Sequence, residues 1–147
     1  MFKHLLVPTD GSRLSQDCVA RAVSFAREAG ARITFFYAEP ESPAAYLGLG
    51  AIGNPSLSQE LHQRLDGAAR DILAAAQQVA QAAAVESEPL ALVGDRPHEL
   101  IVRAAETQGC DLIFMASHGR RGVSALLLGS ETQKVLTHSK IPVLVYR

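Results

Sequence analysis

Two short stretches of the chain carry residues whose types and spacing suit anion chemistry. The first is Pro8-Thr9-Asp10-Gly11-Ser12. The second runs from Ala116-Ser117-His118-Gly119-Arg120-Arg121-Gly122 to Gly129-Ser130-Glu131-Thr132. Gly119 and Gly122 carry no Cβ, so a ligand can approach their backbone closely. Ser130-Glu131-Thr132-Gln133 fits a capping box with Ser130 as the cap. A helix starting there points unpaired N–H groups and the positive end of its dipole outward, which suits phosphate. Arg120 and Arg121 add positive charge beside it. Asp10 supplies a carboxylate able to bind a ribose hydroxyl, an adenine amino group or a Mg²⁺ ion shared with phosphates. The plainer alternatives are that the glycines only make turns and that Asp10 only caps the helix that follows.

Other patterns carry less. Gly48-Leu49-Gly50-Ala51-Ile52-Gly53 matches GxGxxG, but a dinucleotide fingerprint must follow a strand directly and open a helix. Pro40 and Pro43 separate it from the preceding strand, and Asn54-Pro55 follows it. The whole stretch from Glu39 to Pro55 reads as a mobile loop. No Gly-Lys dipeptide exists, so a Walker A loop is absent, as is GxSxG. His118 stands in the glycine loop without a Ser–His–acid arrangement or metal-ligand spacing around it. His4, His62, His98 and His138 are scattered and suggest no site. Gly94-Asp95-Arg96-Pro97 reads as a turn and helix start, with the outer part of the crevice as a lesser role.

Elements able to position these loops alternate along the chain. Leu5-Leu6-Val7, Ile33 to Tyr37, Leu90 to Val93, Leu112 to Met115 and Val143 to Tyr146 read as strands. Between them Leu14, Cys18, Ala22, Phe25 and Ala29 recur at helical spacing, with Gly30 as the stop. Leu61, Leu65, Ala68, Ile72, Ala76 and Val79 repeat the pattern behind a capping box at Ser56 to Gln59. Pro97 opens a third helix that Gly109 closes, and Val135 and Leu136 mark a fourth. The order βαβαβαβαβ predicts an α/β fold: a single five-stranded, doubly wound parallel sheet with helices on both faces, spanning residues 1–147. Such units run 2-1-3-4-5 or 3-2-1-4-5. In the second, expected here, the chain order reverses between the first and fourth strands, and ligands bind where it does. The loops after Val7 and after Met115 then face one crevice.

Composition excludes several classes. With 48% hydrophobic and 20% charged residues the chain is neither disordered nor fibrous. Its 14 basic and 15 acidic residues leave a formal charge of −1, so no global field draws in nucleic acid or an anionic membrane. The lack of Trp argues against base stacking on single strands. Cys18 and Cys110 form no CxxC pair and read as small buried hydrophobes. No stretch reaches the roughly 18–20 apolar residues of a membrane span, and the first apolar run is too short for a signal peptide. A cytoplasmic location is expected.

The chain resembles the universal stress protein family. The matching pieces are Leu6 to Ser12, Val93-Gly94-Asp95, Asp111-Leu112-Ile113, Met115 to Gly119 continuing through Leu128-Gly129-Ser130, and Ile141 to Val145. The ATP-binding branch of that family is marked by G-x-x-G, nine residues, then G-[S/T]. Here Ala116 takes the first glycine place, while Gly119, residues 120–128 and Gly129-Ser130 fit. The resemblance implies ATP, or AMP or ADP, with Pro8, Thr9 and Asp10 on the adenine and ribose side and Ala38 flanking the base. His118, Gly119, Gly129, Ser130 and Glu131 would bind the triphosphate, chiefly through backbone N–H groups. Ala116, Ser117, Arg120, Gly122 and Thr132 complete the implied site, with Mg²⁺ on Asp10. It also implies a homodimer through Val143 to Tyr146 and a stress-response role. A slow ATP hydrolase and a nucleotide-independent dimeric interaction protein are the alternatives. With no evident base and no Walker lysine, any hydrolysis would be weak.

Overall fold

The computed structural model of the chain describes residues 1–41, 55–120 and 127–147. The GxGxxG match, most of the loop around it, Arg121 and Gly122 lie outside the described residues. Leu5, Leu6 and Val7 are wholly buried because β1 (His4–Pro8) is covered on both faces. Successive strand residues point to opposite faces, and the core divides accordingly. Leu5 and Val7 pack with Ile33 and Phe35 of β2 (Arg32–Glu39) and Phe114 of β4 (Leu112–Ala116). Two helices cover that face, α1 (Arg13–Ala29) through Cys18, Val19 and Ala22, and α2 (Pro55–Ala82) through Ala69, Leu73 and Ala76. Leu6, Phe36, Ile113 and Met115 line the other face. There α3 (Pro97–Thr107) packs Leu100, Ile101 and Ala104, and α4 (Ser130–His138) packs Val135. Burying Phe35 or Phe36 contributes about 1.5–3 kcal/mol each.

With β3 (Ser87–Val93) and β5 (Val143–Tyr146) at the edges, the sheet order is β3-β2-β1-β4-β5 and every pairing is parallel. The α/β fold and strand order expected from the sequence are therefore observed. Three local boundaries differ. β3 begins at Ser87, because pairing of Ile33 with Ser87 and Thr34 with Glu88 adds residues that carry no apolar signal; Pro89 is tolerated on this edge strand. Ser56 to Gln59 lies inside α2, which opens at Pro55, a residue suited to the first helical position. Ser12, not Asp10, caps α1, its side chain accepting the Ser15 N–H. Gly30 ends α1 in the left-handed conformation, φ 63°. Among the described residues no helix is long and apolar enough to cross a membrane. Cys18 and Cys110 are free and buried, and burial pushes both thiols up to about 12, so they pack rather than react.

At the amino ends of the strands His4 is buried, its Nε2 2.8 Å from Thr34 Oγ1, which donates in turn to Glu88 Oε1 at 2.9 Å. Burial first and Arg32 second hold His4 below its ordinary 6.5, outweighing the pull of Glu88 and Asp111. The unfolded chain therefore takes up the His4 proton at a higher pH than the folded one. This contribution to stability is fully present above about 6.5 and is lost as pH falls below it. The urea midpoint should drop between pH 7.5 and 5.5, and His4→Gln should flatten that drop. An equal pH dependence in the variant removes the assignment.

Candidate functional site

The site forms because β1 and β4 are neighbours while the chain leaves them in opposite directions. The loops that follow part at the carboxyl ends and leave a cleft of about 610 Å³. Its floor is Pro8, Thr9, Phe36, Tyr37, Ala38, Met115 and Ala116. Its walls are Asp10, His118 to Arg120, Gly129 to Thr132, and Gly94, Asp95 and Pro97.

The β1–α1 loop is held by local bonds. Thr9 N donates to Phe36 O at 2.8 Å, and Thr9 Oγ1 lies 2.7 Å from Ser15 Oγ, which also accepts Asp10 N at 3.1 Å. The Asp10 carboxylate then spans two loops. Its Oδ1 accepts Ser12 N at 2.9 Å, and its Oδ2 accepts Arg120 N at 2.9 Å. Gly119 is required beside it, since a Cβ there would run into Asp10 Oδ2. The start of α4 is fastened to the end of β4 as firmly. Gly129 N donates to Ser117 O at 2.7 Å, and Thr132 Oγ1 donates to the carbonyls of Ala116 and Ser117, each at 3.1 Å. A Cβ on Gly129 would sit 3.1 Å from His118 Cα. Gly129, not Ser130, is therefore the N-cap. The helical ladder begins with Gln133 N on Gly129 O at 3.0 Å, so the amides of Ser130, Glu131 and Thr132 have no partner within the helix. Ser130 is exposed to the cleft.

The structure thus brings Pro8, Thr9, Asp10, Ala38, Ala116, His118, Gly119, Arg120, Gly129, Ser130, Glu131 and Thr132 around one cavity. Ser117 lies beneath it, buried, its N–H on Tyr146 O at 2.7 Å and its carbonyl holding α4. Gly122 is outside the described residues. Ala116 ends β4 in register with Tyr146 and has no positive φ, so alanine meets the backbone requirement there. The outer wall, expected as a turn with a lesser part in the crevice, lines it through Gly94, Asp95 and Pro97: Gly94 N donates to Glu39 O at 2.9 Å, and Asp95 Oδ1 accepts Glu41 N at 3.0 Å. Tyr37, Pro40 and Ile101 also line the cleft. Their sequence signal is only apolar, which is the signal of any core residue.

Comparison with known proteins follows this geometry. The model of the universal stress protein family matches residues 1–147. The chain belongs to the universal stress protein family. A universal stress protein from Thermus aquaticus, named for the QAH/OAS sulfhydrylase 3′ region, is 33% identical with both chains covered in full. The solved structure of MJ0577 from Methanocaldococcus jannaschii superposes with a TM-score of 0.82 at 28% identity, covering 99% of this chain and 95% of that one. A universal stress protein solved in complex with cAMP has a TM-score of 0.68 at 25% identity, covering 99% and 97%.

In this universal stress protein the described lining of the cleft presents backbone amides and the carboxylates of Asp10, Asp95 and Glu131, with Arg120 as the cationic side chain. A protein-built magnesium cage does not fit. No group of three His, Cys, Asp or Glu among the described residues could hold a metal; a Mg²⁺ ion shared with phosphates would reach the protein through Asp10. Asp10, each oxygen accepting one amide, is the clasp between the two loops. Asp10→Ala should lower stability by about 1–3 kcal/mol in urea denaturation, because two amides lose a charged acceptor. Asp10→Asn, which keeps one acceptor oxygen, should lose less. Identical midpoints for all three proteins remove the clasp.

Proposed function

We propose that this chain binds an adenine nucleotide in the β1/β4 cleft, with its phosphates on the α4 amides, and acts as a nucleotide-responsive module in the stress response. The observation that carries the reading is the free N-terminus of α4, fastened to the end of β4 by Gly129 and Thr132 and set against a cavity of about 610 Å³ that the Asp10–Arg120 clasp borders. That volume lies within the usual range for small-molecule sites, roughly 300–1,000 Å³. Three amides and a helix dipole suit a phosphoryl tail. Pro8, Phe36 and Ala38 offer an apolar floor for a base, and the cAMP complex of a relative supports a purine nucleotide. ATP, ADP and AMP are the candidates. Binding is favoured over turnover, since among the described residues no lysine lines the cleft to clamp a leaving phosphate. A homodimer through the outer edge of β5, and residence in the cytoplasm, complete the proposal; Val143 to Tyr146 are only half-buried in the single chain.

A nucleotide panel tests the reading by thermal unfolding and isothermal titration. A ligand at about a hundred times its Kd adds about 2.7 kcal/mol, a rise of about 5–10 °C for a chain of this size. Ser130→Glu separates fold from binding. A carboxylate at the first helical position favours the helix dipole, so the melting temperature should hold or rise, while ATP affinity should fall about tenfold or more. No nucleotide-dependent shift in the natural protein, or full ATP affinity in Ser130→Glu, overturns the proposal.

A further inference from the structure

Glu131 is the acidic residue in the first turn of α4. A carboxylate there is drawn toward the helix's own unpaired amides, which are the groups an incoming phosphate needs. The structure holds it elsewhere. Glu131 Oε2 accepts the backbone N–H of His98 at 2.8 Å and His98 Nδ1 at 2.9 Å. Glu131 Oε1 accepts Lys134 Nζ at 3.1 Å. His98 is well placed to hold it. It is the second residue of α3, so its amide is itself unpaired within a helix. Its side chain is only 13% exposed and lies against the His138 ring, centroids 5.7 Å apart. An ionised carboxylate only accepts, so Nδ1 carries the proton. The bonds to His98 and Lys134 outweigh burial and keep the Glu131 carboxyl below its ordinary range.

We infer that His98 is a positioning residue for anion binding: it docks the Glu131 carboxylate on α3 and so leaves the α4 amides open to a phosphoryl tail. The inference rests on the nucleotide reading above and adds the group that controls the phosphate half of the site. When the His98 ring is lost, the carboxylate keeps only the backbone N–H of residue 98 and Lys134, and so loosened it competes for the α4 amides as an internal anion. Affinity for a long phosphate tail then falls while affinity for the nucleoside does not.

The test is isothermal titration of ATP and adenosine against the natural protein, His98→Ala, His98→Asn and the double variant His98→Ala/Glu131→Ala. His98→Ala should weaken ATP about tenfold, the scale of a lost charge-assisted bond, with adenosine unchanged. His98→Asn should recover most of the loss, because its amide donates from near the position of Nδ1. The double variant, which keeps the backbone N–H of residue 131 but carries no carboxylate, should regain most of the affinity that His98→Ala loses. An unchanged ATP-to-adenosine ratio in His98→Ala overturns the inference while leaving nucleotide binding intact. So does a double variant as weak as the single one. A natural protein that binds neither ligand overturns the nucleotide reading and this inference together.

Discussion

The carboxylate of Asp10 accepts an amide from its own loop and an amide from a loop 110 positions away, and the geometry of the cleft follows from that second bond. It closes only because β1 and β4 pair at the centre of the sheet, Leu5 beside Leu112 and Leu6 beside Ile113. It closes tightly only because Gly119 has no Cβ to meet the carboxylate. A charged acceptor makes such bonds shorter and stronger than neutral ones.

The far end of that loop is fastened by different means. Gly129 N and the Thr132 hydroxyl both use carbonyls at the end of β4, so the first turn of α4 is an extension of the central strand. The site is thereby built mostly from backbone groups placed by the sheet, with side chains serving as fasteners. Asp10, Ser15, Thr132 and Glu131 all spend their oxygens on protein donors or acceptors. Such an arrangement is preformed and loses little entropy when a ligand arrives.

Much of the fold was legible beforehand. Short apolar runs between helical periods require strands covered on both faces, and right-handed crossovers then give a parallel sheet. The two site loops were legible from glycine, serine and aspartate next to strand ends. Local bonding was less so. Ser130-x-x-Gln133 has the form of a capping box, yet Gly129 takes the cap because its amide is drawn onto Ser117 O. Asp10 has the form of a helix cap, yet Ser12 fills that place and frees Asp10 for Arg120. Ser117 has the form of a ligand contact, yet strand pairing and α4 bury it.

The sequence by itself determined which residues form strands and helices, which loops are rich in glycine, and that the crevice opens at the carboxyl ends. These follow from periodicity and backbone preference, which act over a few residues. Only the tertiary structure decided that Asp10 bridges loops, that His98 takes the Glu131 carboxylate across 33 positions, and that Asp95 accepts the Glu41 N–H. Each depends on the order of strands in the sheet and on the reach of one side chain to a distant backbone. No local pattern encodes that distance.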